Sequence, residues 1–231
     1  MSHFSVAVIH EENQCIDDLL APYDENIELA PHVEFSRQEA IDFAQKHYAK
    51  LQGATDEECW DFMAENRVTD KEGNIYTTTN DYAKWDYWVE GGRWEGFLKL
   101  KGSNKHVSSA KIKDVDFSPD ERVYKESLRF WDLVVENKPL EPGEEEPFNI
   151  YKPEYYHAFY NDREDYARRQ AQFYTAAVIT PSGEWNAPGE YGWFGSTTKT
   201  PESARNWHEN YFKDFIEGNE DLYITIVDCH I

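Results

Sequence analysis

The run His3-Phe-Ser-Val-Ala-Val-Ile9 is mostly apolar with weak alternation, which predicts an interior strand beginning almost at the first residue. A second apolar run, Leu222-Tyr-Ile-Thr-Ile-Val-Asp228, predicts a strand at the other end of the chain. Phe173-Tyr-Thr-Ala-Ala-Val-Ile-Thr180 is continuously apolar, as a strand covered on both faces should be, and Ile75-Tyr-Thr-Thr-Thr79 has strand-forming β-branched and aromatic residues. Between these runs the spacing becomes helical. Ser36-Arg-Gln-Glu39 is a capping box ahead of Ala40, Ala44, His47/Tyr48 and Leu51, with Gly53 as the stop. Thr55-Asp-Glu-Glu58 opens a shorter helix carrying Trp60 and Met63 and fading near Asn66. Ser118-Pro-Asp-Glu121 starts a helix to about Asn137, with Ser118 as its N-cap, Pro119 at the first helical position and Tyr124, Leu128, Trp131 and Val135 as its buried stripe. A single helix is expected from Pro153 to about Gln172, and another after Thr200 with Ala204, Trp207, Tyr211 and Phe215 on one face. Strands at both ends with helices between them predict an α+β fold, in which a central mixed or antiparallel sheet includes both terminal strands and is flanked by about five helices.

The densest aromatic stretch is Asn80 to Lys101, where Trp85, Tyr87, Trp88, Trp94 and Phe97 surround Gly91-Gly92 and Arg93. Two short aromatic runs meeting at Gly-Gly predict a β-hairpin, with arms Trp85 to Glu90 and Arg93 to Leu100, because glycine accepts the positive φ of a tight turn. Gly189-Glu-Tyr-Gly-Trp-Phe-Gly195 repeats the theme of aromatics among glycines. Leu140-Glu-Pro-Gly-Glu-Glu-Glu-Pro147 is proline-bounded, charged and aperiodic, so the expectation is a single domain over 1–231 with a possible two-lobed division near 139–149.

Charge and composition narrow the function classes. With 16% aromatics the chain is expected to fold, and its formal charge of −22 opposes binding to free nucleic acid or to an anionic membrane. No apolar run reaches the ~18 residues of a membrane span and no signal-peptide pattern is seen, so a cytoplasmic protein is expected. Cys15, Cys59 and Cys229 are too scattered for a disulfide framework or a metal knuckle. Between Lys99 and Lys113 stand five lysines and no acid, a pattern that suits a lysine-defended sheet edge as well as a local positive field.

Neither a catalytic motif nor a cofactor or metal motif is present. The expected ligand-binding residues are Trp85, Trp88, Arg93, Trp94, Trp193 and Phe194, since aromatic faces stack on planar rings and the Arg fork fits phosphate. A core role for the same aromatics stays open. If the terminal strands are neighbours, His3 and His230 approach each other, whereas Cys229 and His230 project to opposite faces and cannot pair. Asp24, Glu25, Asp86, Glu90 and Asp228 are carboxylates of interest because they sit beside aromatic or glycine features.

Met1-Ser-His-Phe-Ser-Val-Ala-Val-Ile9, Leu20-Ala-Pro-Tyr-Asp-Glu-Asn26, Lys84-Trp-Asp-Tyr-Trp-Val-Glu-Gly-Gly-Arg-Trp94, Thr180-Pro-Ser-Gly183, Gly192-Trp-Phe-Gly195 and Ile226-Val-Asp-Cys-His-Ile231 occur in this order. Together they resemble a family of uncharacterised tailed-phage proteins. The resemblance touches both ends and the middle of the chain, carries no assigned activity, and implies a phage accessory protein acting on host defence in the host cytoplasm. The expected function is sequestration of a small nucleotide-like ligand. Two alternatives stand beside it: an acidic inhibitor or DNA mimic that occupies a host defence protein, and a small nucleotide hydrolase or transferase.

Overall fold

A computed structural model describes residues 2–190 and 197–231. In chain order the strands and α-helices are β1 (His3–His10), α1 (Ile16–Leu20), β2 (His32–Phe35), α2 (Arg37–His47), α3 (Asp56–Ala64), β3 (Val68–Thr69), β4 (Ile75–Thr77), β5 (Tyr87–Glu90), β6 (Leu98–Lys99), β7 (His106–Val107), β8 (Ser109–Lys111), α4 (Glu121–Val134), α5 (Pro153–Phe159), α6 (Arg163–Ala171), β9 (Ala177–Ile179), β10 (Trp185–Asn186), α7 (Pro201–Tyr211) and β11 (Tyr223–His230). The fold is α+β. The chain forms two compact units, one of residues 1–21 with 84–231 and one of residues 22–83.

The larger unit is organised on a mixed sheet of order β10-β9-β1-β11-β5, with β8 also pairing β11. β1 and β11 run antiparallel along their full eight-residue length, while β9 pairs parallel to β1. Every residue of β1 and β11 after the first is buried, which explains why both read as apolar runs without clean alternation. On one face Ala7, Ile9, Ile224 and Ile226 pack with Tyr211, Phe215 and Ile216 from the α7 region. On the other, Phe4 meets Trp185 edge-on at 6.4 Å, and Trp185 packs with Trp85 at 5.7 Å.

Local sequence accounts for most helix limits and corrects several expectations. Asp120, not Ser118, caps α4, accepting from the amides of Arg122 and Val123. The helix expected from Pro153 to Gln172 is two helices, because the chain turns extended at Tyr160 to Asp162 and Asp162 caps α6 by accepting from Asp165 N. A buried ion pair, Asp165 with Arg169, fixes the α6 surface. The stretch 139–149 lies within the larger unit, where Glu144 pairs with Arg129 of α4. The lysines between 99 and 113 are largely engaged: Lys99 pairs with Asp116, Lys111 with Glu12 and Lys113 with Asp221, while Lys101 Nζ donates to the Lys113 carbonyl.

The smaller unit carries a three-stranded antiparallel sheet, β2-β4-β3, with α2 and α3. Both predicted capping boxes form, at Ser36 with Glu39 and at Thr55 with Glu58. α2 ends at His47, short of Gly53, and a 3₁₀ turn over 49–51 follows it. Ala40, Ile41, Ala44, Cys59, Met63 and Ile75 form this unit's core.

Candidate functional site

The predicted hairpin does not form. β5 pairs with β11, and β6 pairs with β7, so the two aromatic arms go to different partners. The glycines between them have another task. Gly91 and Gly92 adopt φ of +68° and +52°, and a short 3₁₀ turn over Gly92–Trp94 folds across β11 at Asp228. A Cβ at position 92 would lie 2.5 Å from Asp228 Cβ and 2.6 Å from its Oδ2. The close approach delivers the Arg93 amide to that carboxylate, donating to Oδ2 at 3.0 Å.

The register of the terminal strands sets His3 opposite His230 and Ser5 opposite Asp228. His3 Nδ1 donates to Asp228 Oδ1 at 2.8 Å, and His230 Nδ1 to Asp86 Oδ1 at 2.6 Å. A carboxylate only accepts, so each ring carries its proton on Nδ1 when neutral and Nε2 becomes the acceptor. The two imidazoles meet edge-on at 4.8 Å between centroids, and Tyr87 stacks on His230 at 4.6 Å. Asp228 is 5% exposed and His230 4%. This polar group therefore closes the end of an otherwise apolar sheet face, with Asp228 held by an imidazole and a backbone amide. His10, at the opposite end of β1, uses both ring nitrogens, on the Glu11 carbonyl and on Thr225. His3 commits only Nδ1 to a hydrogen bond among the described residues.

His3 also borders a recess of about 640 Å³, with Trp94, Phe97, His106, Phe173 and Lys199 on its walls. Trp94 is partly buried against the sheet core, and Phe97 meets Phe173 at 5.3 Å. The charges at this recess are unequal in their commitments. Lys99 and Asp116 pair at 2.8 Å, which with hydrogen bonds from Ser118 holds the Asp116 carboxyl far below the usual carboxylate range. Asp120 is committed to the start of α4. Lys199 is half-buried, has no ion pair or side-chain hydrogen bond among the described residues, and its ammonium is pushed down by burial. A desolvated cation without a carboxylate favours an incoming anion.

The expected binding residues are dispersed. Trp85 is 1% exposed and belongs to the core beside Trp185. Trp88 stands opposite Cys229, on the sheet face away from His3 and Asp228. Arg93 is exposed, its guanidinium makes no ion pair among the described residues, and its amide holds Asp228. Trp94 is the one predicted tryptophan that reaches the recess among the described residues. Trp193 and Phe194 lie outside the described residues. Cys229 is buried on the far face from His3, with its thiol pushed up by burial, which removes it as a partner for either histidine. Among the described residues no cluster of His, Cys, Asp and Glu has the arrangement of a metal site, and no helix is long and apolar enough to cross a membrane.

Lys199, Phe97, Phe173 and His106 were not among the expected binding residues; Phe97 belongs to the aromatic stretch around Gly91-Gly92, the other three stand in no motif, and the tertiary fold brings the four together. The His3–His230 approach was legible from strand order alone. No protein-family profile, curated protein or solved structure matches the chain.

Proposed function

We propose that the protein binds a small nucleotide-like anion in the recess bordered by His3, Trp94 and Lys199. The observation that carries this reading is the half-buried Lys199 ammonium, without a carboxylate partner among the described residues, in a recess walled by Trp94, Phe97 and Phe173 of a protein with formal charge −22. Ring faces accept a planar base, and an ammonium accepts phosphate as a point charge. The volume falls within the ~300–1,000 Å³ of ordinary small-ligand sites. Arg93 precedes Trp94 in the turn and is exposed, outside the recess lining, so it is the weaker of the two candidate anion contacts. The family resemblance implies only a context, that of a phage accessory protein acting on host defence; capture of a defence signalling nucleotide is the role we propose for the site within it.

Calorimetric titration with nucleoside 5′-monophosphates and cyclic nucleotides tests the reading. The wild-type protein is expected to bind at least one of them, and Lys199→Ala to weaken binding by about 10- to 100-fold, the value of one charge-assisted hydrogen bond. Arg93→Ala is expected to weaken binding less. Failure of every nucleotide to bind the wild-type protein would refute the proposal.

A further inference from the structure

Two histidines line the same recess, and both have their tautomer set by the fold. His3 gives Nδ1–H to Asp228, and His106 Nδ1 lies 3.0 Å from the Gly96 carbonyl, an acceptor only. Each therefore leaves Nε2 as its uncommitted nitrogen among the described residues. The supports differ in chemistry. A carboxylate behind Nδ1 is the arrangement that orients the ring of a general base, and His3 has it, whereas His106 is backed by a neutral carbonyl. Gly96, at φ +70°, admits the His106 side chain closely: a Cβ there would lie 3.2 Å from His106 Cβ.

We infer that His3 and His106 are an acid–base pair that hydrolyses a phosphodiester bond of the bound ligand, with Asp228 as the positioning residue for His3. This rests on the nucleotide-binding reading above. His3 Nε2 takes a proton from water as the water oxygen bonds to phosphorus. The bond from phosphorus to the leaving oxygen breaks, and that oxygen takes the Nε2 proton of protonated His106. The products are a phosphomonoester and an alcohol; His3 then releases its proton to solvent and His106 regains one, with no change in oxidation state. Lys199 supplies positive charge for the phosphoryl oxygens as negative charge builds on them. The aromatic walls hold the base, which keeps the phosphodiester in the recess that both histidines border.

The test compares two diesters that differ in leaving group, thymidine 5′-(p-nitrophenyl phosphate) and thymidylyl-thymidine, with the full chain. Wild type is expected to cleave both, and His3→Gln to lower kcat on both by about 10²-fold or more. A nitrophenolate departs without a proton and an alkoxide does not. His106→Gln is therefore expected to depress cleavage of the dinucleotide at least about 10-fold more than cleavage of the nitrophenyl ester. His106 is exposed, so this variant keeps the test sound if His3→Gln disturbs folding. Thymidine 5′-monophosphate binding by calorimetry separates the two claims. Binding without cleavage of either diester overturns the inference and leaves the binding reading standing; absence of both removes both. Equal loss on the two esters in His106→Gln overturns its role as the acid.

Discussion

Replacing Gly92 by alanine tests whether the Gly-Gly turn exists to hold Asp228. A residue with a side chain at φ +52° loses about 1–2 kcal/mol to the left-handed conformation alone. The new methyl would also stand 2.5 Å from Asp228 Cβ, so either the turn lifts or the carboxylate moves. In both cases the Arg93 amide loses its charged acceptor, worth about 1.5–3 kcal/mol. The expected loss for Gly92→Ala is therefore about 2.5–5 kcal/mol. Gly102 provides the control, having φ of +66° and no atom within 4 Å of the point where a methyl would stand, so Gly102→Ala should lose only the ~1–2 kcal/mol backbone part. Urea unfolding of both variants, with matching slopes, gives the difference directly. Equal destabilisation by the two substitutions would refute the role assigned to Gly92.

Asp165→Ala should cost about 3–5 kcal/mol in the same assay, because it leaves the buried Arg169 guanidinium without its carboxylate. His208 contacts Tyr174 at 4.1 Å between centroids, and burial, reinforced by the nearby Arg169 and Lys199 charges, lowers its pKa to about 4. The folded protein then binds this proton less readily than the unfolded chain. The stabilising contribution is complete above the ordinary value of ~6.5 and declines as pH falls toward 4, by about 3 kcal/mol in all. Unfolding measured between about pH 7.5 and 4.5 should show His208→Phe losing less stability on acidification than wild type; parallel curves would contradict the assignment.

The terminal strands were legible because residues buried on both faces read as apolar runs, and adjacency at the sheet centre put His3 opposite His230. Capping boxes were legible because their partners lie three residues apart, at Ser36 and Glu39 and at Thr55 and Glu58. Gly91-Gly92 misled because positive φ serves a hairpin and a turn over a carboxylate equally, and the carboxylate lies far along the chain from Gly92, on another strand. The break at Tyr160–Asp162 was hidden by aromatic spacing that continued through it, although Asp162 with Asp165 is a capping pattern of its own. Lys199 was invisible for a further reason. Whether a lysine is paired is a property of the folded surroundings: four of the five lysines of the 99–113 run found an acid or a carbonyl, and Lys199 did not among the described residues.

Indole N–H signals of ¹⁵N-labelled protein, with Trp94 assigned from Trp94→Phe, report directly which face of the sheet receives the ligand when they are followed during titration with a nucleoside 5′-monophosphate. A saturable shift of Trp94, on the recess wall, is expected, with Trp85 and Trp88 unmoved. Shifts of Trp85 or Trp88 without Trp94 would contradict binding in the recess.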